Sequence, residues 1–140
     1  MVLLSALMIT GCGSGDSAEA SLTKEQYQKK ANLICNDASN EQLELASKYL
    51  AKHPGAEEAD LVVPAGIPPL EKELEELKAL GVPEGFELEV EAFIEAYEAG
   101  LEGLKEEPEA ALSEQDQDNP FDEANDLGQK YKLGDCSDHP

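Results

Sequence analysis

Metal chemistry is the first possibility raised by the acidic segment from Asp116 to Glu123. Calcium loops of the EF-hand type need glycine at their sixth position and a bidentate glutamate at their twelfth. If Asp116 is the first position, Phe121 stands at the sixth and Leu127 at the twelfth. We therefore interpret the segment as an acidic loop that leads into a helix with Asn119 as its N-cap.

The two histidines match no motif for a metal centre or for nucleophilic catalysis. Di-iron sites in helical bundles use Glu-x-x-His, but Leu50 stands three residues before His53 and Cys136 three before His139. His53 falls where a helix ends and His139 is next to last, so we expect both imidazoles to be solvated. No serine lies in a glycine elbow. We predict no catalytic residue, no metal site and no cofactor.

Glutamates repeat at helical spacing along the most strongly amphipathic segment of the chain. Five of them, which we call the acidic face, are Glu87, Glu91, Glu95, Glu98 and Glu102, and no lysine occurs between Lys78 and Lys105. Uncompensated glutamates at i, i+4 cost about 0.2–0.5 kcal/mol per pair. The acidic face is either a solvated surface or a docking face for a basic protein or for divalent cations.

The predicted localisation of the protein depends on Ile9-Thr10-Gly11-Cys12, which follows the apolar run from Met1 to Met8. An apolar segment that ends in small residues is typical of a secretory signal peptide. The four residues resemble the lipobox of bacterial lipoproteins, with Ile9 where leucine is usual and no Lys or Arg before the apolar run. The resemblance implies acylation of Cys12 and anchoring on the extracytoplasmic face of the cell membrane. The alternative is an ordinary cleaved signal, with Cys12 incidental.

Lipidation of Cys12 leaves Cys35 and Cys136 as one pair in an exported, oxidising compartment. We predict a disulfide between them, which in the chain-entropy model stabilises a closed loop of about 100 residues by about 4.7 kcal/mol. The alternatives are two free thiols or a metal-bound pair. We disfavour both, because we find no zinc-type arrangement of Cys and His around either cysteine.

Charge limits the partners of this protein. Thirty-one acidic residues against ten lysines give a net charge of −21. Nucleic acid and anionic lipid headgroups would be repelled, so we exclude both as direct partners. Attachment to the membrane then depends on the lipid at Cys12. We divide the chain into a signal peptide (1–11), a tether (12–21) and one helical domain (22–140).

Four amphipathic segments without a strand pattern predict an all-α domain. The first helix begins at the capping box Thr23-x-x-Gln26 and ends at His53. The second runs from near Pro69 to Gly81, and we expect its Lys72 and Lys78 to pair with Glu76 and Glu75. Within residues 56–68, Ala56–Val63 fits a short helix or an extended crossover, and Pro64, Gly66 and Pro68 interrupt the rest.

The third helix has the clearest apolar seam of the chain, and the fourth is short. The seam consists of Phe86, Val90, Phe93, Tyr97, Leu101 and Leu104. Gly100 and Gly103 lie within that helix, which indicates close approach of a neighbouring segment. The fourth helix begins at Asn119 and Pro120 and ends at Gly134. Short connections predict an up-down four-helix bundle, in which Cys136 returns to the level of Cys35.

Ala31-Asn32-Leu33-Ile34-Cys35 and Leu133-Gly134-Asp135-Cys136 resemble a group of small, uncharacterised actinobacterial-type lipoproteins. Such proteins are helical and carry one cysteine near each end of the domain, which agrees with the predicted bridge and implies no activity. We predict a non-catalytic binding or interaction module. The rivals are an enzyme or small-ligand carrier, with a cavity lined by Tyr27, Tyr49 and Tyr97, and a passive structural protein of the envelope.

Overall fold

A computed structural model describes residues 22–112 and 119–140. These residues form the all-α up-down bundle that the sequence predicts. Its four long helices are α1 (Lys24–Lys52), α3 (Ile67–Ala79), α4 (Glu87–Glu106) and α5 (Asp122–Tyr131). The predicted signal peptide, Cys12 and the tether lie outside the described residues. Among the helices that are described, none is both long and apolar enough to cross a bilayer.

The start of α1 follows from its capping box. The Thr23 hydroxyl accepts from the Gln26 N–H at 3.2 Å, and the Gln26 side chain accepts from the Thr23 N–H at 2.9 Å. Two of the N–H groups that every helix start leaves unpaired are thereby satisfied. Only the first half of α1 is deeply buried, through Tyr27, Ala31, Cys35 and Ala38. The second half is only partly covered by the rest of the bundle.

The segment between α1 and α3 is helical, so the short-helix alternative is the correct one. A single turn, α2 (Ala59–Leu61), runs into a π-helical turn (Val62–Gly66) and then directly into α3. Proline fits the first turn of a helix because its missing N–H is not needed there, and α3 has Pro68 and Pro69 in its first turn. Its apolar stripe packs against α1 and α4, with Leu70, Leu74 and Leu77 buried.

Helix α4 carries the centre of the core. All six residues of its predicted seam are buried. A Cβ on Gly100 would lie 2.7 Å from the Phe121 ring and 2.8 Å from the Pro120 carbonyl oxygen. The predicted close approach is therefore confirmed, and the neighbour is the turn that leads into α5. A methyl group at this position would push that turn away from α4.

The fourth long helix begins later than predicted. Asn119 caps the preceding turn, because its side-chain oxygen accepts from the Phe121 N–H at 2.8 Å, and α5 starts at Asp122. After α5 a 3-10 turn (Gly134–Ser137) carries Cys136 back to α1. The predicted disulfide between Cys35 and Cys136 is present, with a Cα–Cα distance of 5.2 Å. It ties the end of the domain to the first helix.

Candidate functional site

A polar row on α1 holds the returning C-terminal segment in register. Gln28 donates to the Tyr131 carbonyl oxygen at 2.6 Å, and the Asn32 side chain accepts from the Asp135 N–H at 2.7 Å. One turn further, the Asn36 amide donates to the Asp135 carboxylate at 2.9 Å. The four-residue spacing puts these side chains on one face of the helix. This row flanks the disulfide and aligns the segment that follows it.

His139 is buried, which corrects the prediction of a solvated imidazole. Only 7 % of it is exposed, and its partner Glu73 on α3 is 2 % exposed. His139 Nε2 lies 2.8 Å from Glu73 Oε1. The sequence around Glu73 does not indicate this role. A buried charge without a partner is strongly destabilising, so burial of either residue requires the other.

Asn125 fixes the hydrogen on the Nδ1 atom of His139. Its Oδ1 accepts from the His139 backbone N–H at 2.9 Å, and its Nδ2 donates to the His139 carbonyl oxygen at 3.0 Å. The side-chain amide of Asn125 has one possible orientation. If its oxygen and nitrogen were exchanged, the NH₂ group would face the His139 N–H and the oxygen would face the His139 carbonyl oxygen. The same Oδ1 lies 3.0 Å from His139 Nδ1. Nδ1 therefore carries a hydrogen, and Nε2 faces the Glu73 carboxyl group.

The pair of Glu73 and His139 shares one proton between Oε1 and Nε2. Aromatic rings surround it: Tyr97 makes an edge contact with the imidazole and Phe121 stacks on it, with centroid distances of 4.6 and 5.3 Å. Burial, followed by the charge of Glu73, raises the pKa of Tyr97 above its ordinary value.

A third potential ligand lies beside this pair. Cys35 Sγ, a Glu73 carboxylate oxygen and a His139 ring nitrogen all lie within 4.8 Å of one another. We call Cys35, Cys136, Glu73 and His139 the buried centre. Sequence analysis found no zinc-type arrangement around the cysteines, yet Cys136-x-x-His139 is half of such a motif. That spacing, together with the buried position of Glu73, is the overlooked signal for a group of potential metal ligands.

The acidic face lies on the outer side of α4, where its members have different surroundings. Glu98 forms an ion pair with Lys78 of α3. Backbone N–H groups of Gly85 and Glu87 hold the pKa of Glu87 below its ordinary value at the start of the helix. Among the described residues, no lysine pairs with Glu91, Glu95 or Glu102, all of which are exposed.

The predicted ion pairs within the second helix are wrong. Lys72 bonds instead to Glu41 of α1 at 2.7 Å, and Lys78 reaches α4. Lys105 of α4 bonds to Glu71 of α3 at 2.5 Å. Lysine side chains are long enough to reach a neighbouring helix, and the net negative charge leaves few cations for many carboxylates. The lysines therefore connect helices, and one of them neutralises a member of the acidic face.

A shallow apolar hollow of about 360 Å³ adjoins one end of the acidic face. Its lining combines apolar side chains with two acidic residues and one lysine: Leu77, Lys78, Gly81, Val82, Glu87, Val90, Glu91 and Ile94. Val82 is half exposed, and Leu88, one turn before Glu91 and Ala92, is 77 % exposed. Apolar surface with a charged rim is the usual composition of a protein interface.

A second apolar groove lies where the second half of α1 is incompletely covered. Its volume is about 390 Å³. The walls come from α1, α2, the π-helical turn, α4, the 3-10 turn Pro108–Leu112 and the end of the domain: Ser39, Gln42, Leu43, Ala46, Glu58, Leu61, Val62, Ala65, Gly66, Leu104, Leu112 and Pro140. Ser39 donates to the Cys35 carbonyl oxygen at 3.1 Å and Gln42 to the Gly66 carbonyl oxygen at 3.2 Å. The polar walls are thus internally bonded, apart from Glu58.

A ligand carrier was predicted to have a cavity lined by Tyr27, Tyr49 and Tyr97. The two hollows described above have other linings. Tyr27 and Tyr97 are fully buried in the core, and neither the hollow beside the acidic face nor the groove beside α1 is lined by Tyr27, Tyr49 or Tyr97. Comparison with protein-family models, curated proteins and solved structures finds no match. The candidate sites are therefore judged on their own geometry.

Proposed function

We propose that this protein is a non-catalytic binding module, held on the extracytoplasmic face of the membrane by lipid on Cys12. One observation carries the binding role: exposed carboxylates that pair with no lysine among the described residues follow one another along α4, starting from Glu91 in the wall of an apolar hollow. Glu91, Glu95 and Glu102 contribute the charge, and Val82 and Leu88 contribute exposed apolar surface. Repulsion within this row works against folding, so the arrangement is better explained by a partner than by stability.

Complementarity defines the partner as a basic amphipathic segment of a protein. Its apolar side chains would occupy the hollow beside Val90 and Ile94, and its Lys or Arg residues would face Glu91 and Glu95. Positive charge on the partner also speeds association with a protein of net charge −21. A divalent cation alone would use the carboxylates and leave the apolar surface uncovered, so we favour the protein partner.

Crosslinking in intact cells tests this docking role. The variant Glu91→Gln, Glu95→Gln, Glu102→Gln should lose the crosslinks of the native protein while remaining folded. A matched control, Glu25→Gln, Glu75→Gln, Glu123→Gln, removes the same charge from other helices and should keep them. Equal crosslinking by both variants would contradict the docking face. Calcium that raises the melting temperature above an ionic-strength control would instead favour the cation alternative.

Labelling with a clickable fatty acid tests the anchor at Cys12. The native protein should be labelled and should sediment with membranes, whereas Cys12→Ser should be unlabelled and released. Stable anchoring of this kind requires more than one acyl chain. Labelling that persists in Cys12→Ser would contradict the lipobox assignment without affecting the docking face.

The groove beside α1 supports a second candidate function, a carrier for a small apolar ligand. Its volume lies within the range of small-molecule sites. Ser39 and Gln42 are uncharged and donate to backbone carbonyl oxygens, so Glu58 is the ionisable side chain among the walls. The fitting ligand is therefore an apolar chain or ring with one positive group.

Dodecyltrimethylammonium and dodecanoate, both below micelle-forming concentration, distinguish this candidate from non-specific uptake. The cation should raise the melting temperature and the anion should not. Ala46→Phe fills the groove and should abolish the shift, whereas Ala51→Phe adds the same ring at an exposed position outside the groove and should preserve it. Glu58→Gln should reduce the preference for the cation. Equal shifts in both phenylalanine variants would exclude the groove.

A further inference from the structure

We propose that reduction of the Cys35–Cys136 disulfide turns the buried centre into a zinc site, with Cys35, Cys136, Glu73 and His139 as ligands. Two thiolates, an imidazole and a carboxylate are ligand types that Zn²⁺ binds. The proposal is independent of the acidic face and of the apolar groove. It concerns residues that the bundle brings together from α1, α3 and the C-terminal segment.

Ligand positions fit one small ion. The Cys35, Glu73 and His139 donor atoms lie within 4.8 Å of one another, and Cys136 sulfur is bonded to Cys35. Tetrahedral bonds of about 2.0–2.3 Å place ligand atoms about 3.3–3.8 Å apart. The donor atoms of Cys35, Glu73 and His139 must therefore approach one another by about 1 Å at their widest separation, and after reduction the two sulfurs must move apart to about 3.8 Å.

The tautomer of His139 is already correct for metal binding. Metal-ligating histidines usually hold their second ring N–H on an oxygen, which orients the ring and raises its basicity. Asn125 Oδ1 does this at Nδ1 and is itself fixed by two hydrogen bonds to the His139 backbone. Nε2 is thereby directed at Glu73, where the ion would lie. A structural ion pair alone does not require this second, rigid contact.

The redox state of the two cysteines decides whether the buried centre contains a disulfide or binds zinc. A dithiol reductant transfers two electrons and two protons to the disulfide, giving two thiols while the reductant becomes a disulfide. Zn²⁺ binding then displaces both thiol protons and the proton shared by Glu73 and His139. With three anionic ligands, the loaded site carries a charge of −1. In the oxidised protein no thiolate is present, so the buried centre keeps its proton and holds no zinc.

Cobalt(II) reports on this site directly, because thiolate ligands give an intense charge-transfer absorption and tetrahedral geometry an intense visible spectrum. Full-length Cys12→Ser protein should show both after reduction and neither before it, and zinc should displace the cobalt. His139→Gln and Glu73→Gln should weaken cobalt binding at least tenfold, and Asn125→Ala about 10–100-fold. His53→Gln, the matched control, should bind like the parent protein.

Surface carboxylates bind cobalt without thiolate absorption, so a reduced protein that lacks this absorption overturns the proposal. Equal affinity of His139→Gln and the parent also overturns it. If the reduced protein unfolds, circular dichroism keeps the test decisive. Refolding by stoichiometric zinc in the parent, but not in His139→Gln, supports the site, and failure of zinc to refold the parent excludes it.

Discussion

Tyr27 and Tyr97 are equally buried but differ at their hydroxyl groups. Tyr97 donates to the Leu70 carbonyl oxygen at 3.2 Å. The Tyr27 hydroxyl has no hydrogen-bond partner among the described residues, although its ring packs edge-on against Phe86. A buried polar group without a partner costs about 1–3 kcal/mol. Both side chains therefore contribute a buried aromatic ring to the core. The hydroxyl of Tyr97 stabilises the fold, whereas that of Tyr27 destabilises it.

Tyr27→Phe should leave stability unchanged or raise it by about 1 kcal/mol at pH 7, because it removes an unpaired hydroxyl. Tyr97→Phe should lower stability by a similar amount through loss of its hydrogen bond. Urea unfolding of both variants measures the difference. A clear loss of stability in Tyr27→Phe would mean that its hydroxyl is bonded, for example to an ordered water.

Burial also raises the pKa of Tyr27 to about 12. The native state then holds this proton more tightly than the unfolded state, so stability present below about pH 10 is lost as the pH rises towards 12. Tyr27→Phe escapes this loss. Its advantage over the native protein should grow by about 1 kcal/mol between about pH 9 and about pH 11. An advantage that does not change with pH would contradict the raised pKa.

At the scale of single elements, the acidic face is not uniform along α4. Glu87 interacts favourably with backbone N–H groups at the positive end of the helix, and Glu98 is paired with Lys78. Repulsion is therefore concentrated in Glu91, Glu95 and Glu102. The sequence pattern presents all five as equivalent, whereas the start of α4 sets Glu87 apart and Lys78 of α3 sets Glu98 apart.

Replacing Glu91, Glu95 and Glu102 by Gln should stabilise the domain by about 0.5–2 kcal/mol, because it relieves several like-charge contacts. The gain should shrink as salt rises, since exposed charges are screened within about 8–10 Å. Melting temperatures at low and high salt measure both effects. The single variant Glu87→Gln should not stabilise, and equal gains at every position would contradict the distinction.

At the scale of the whole molecule, the disulfide connects residues 101 positions apart and joins the two ends of the domain. The C-terminal segment is also held by the Asn32 contact and by tight packing at Gly134, whose positive φ of 65° suits glycine. A Cβ at Gly134 would lie 1.8 Å from the Asn32 side-chain oxygen. The disulfide, the hydrogen bond to Asn32 and the close packing at Gly134 therefore all hold the C-terminal segment against α1.

In a Cys12→Ser background, Cys35→Ser with Cys136→Ser should lower the free energy of unfolding by about 2–5 kcal/mol. Denaturation is measured with a chelator present, so that metal does not influence the result. The parent protein treated with reductant and chelator should lose a similar amount. A serine variant as stable as the oxidised parent would show that the polar contacts suffice to close the bundle.

The sequence by itself determined the four long helices and the cysteine pairing. Caps, prolines and apolar periodicity act within a few residues, so Thr23, Pro69 and the seam of α4 are readable without knowledge of the fold. The disulfide was predictable because only two cysteines remained once Cys12 was assigned to lipid. The first residue of α5 was less predictable from the sequence, because an asparagine such as Asn119 caps a turn as readily as a helix.

Tertiary structure alone decided the surroundings of the polar groups. Glu73 and His139 are 66 residues apart, and apart from the Cys136-x-x-His139 spacing nothing local distinguishes them from a solvated glutamate and a solvated histidine. Burial of a side chain depends on which distant segment covers it, and the same holds for the Lys78–Glu98 pair. The groove beside α1 has the same origin, because α1 is much longer than α5 and its second half remains partly uncovered.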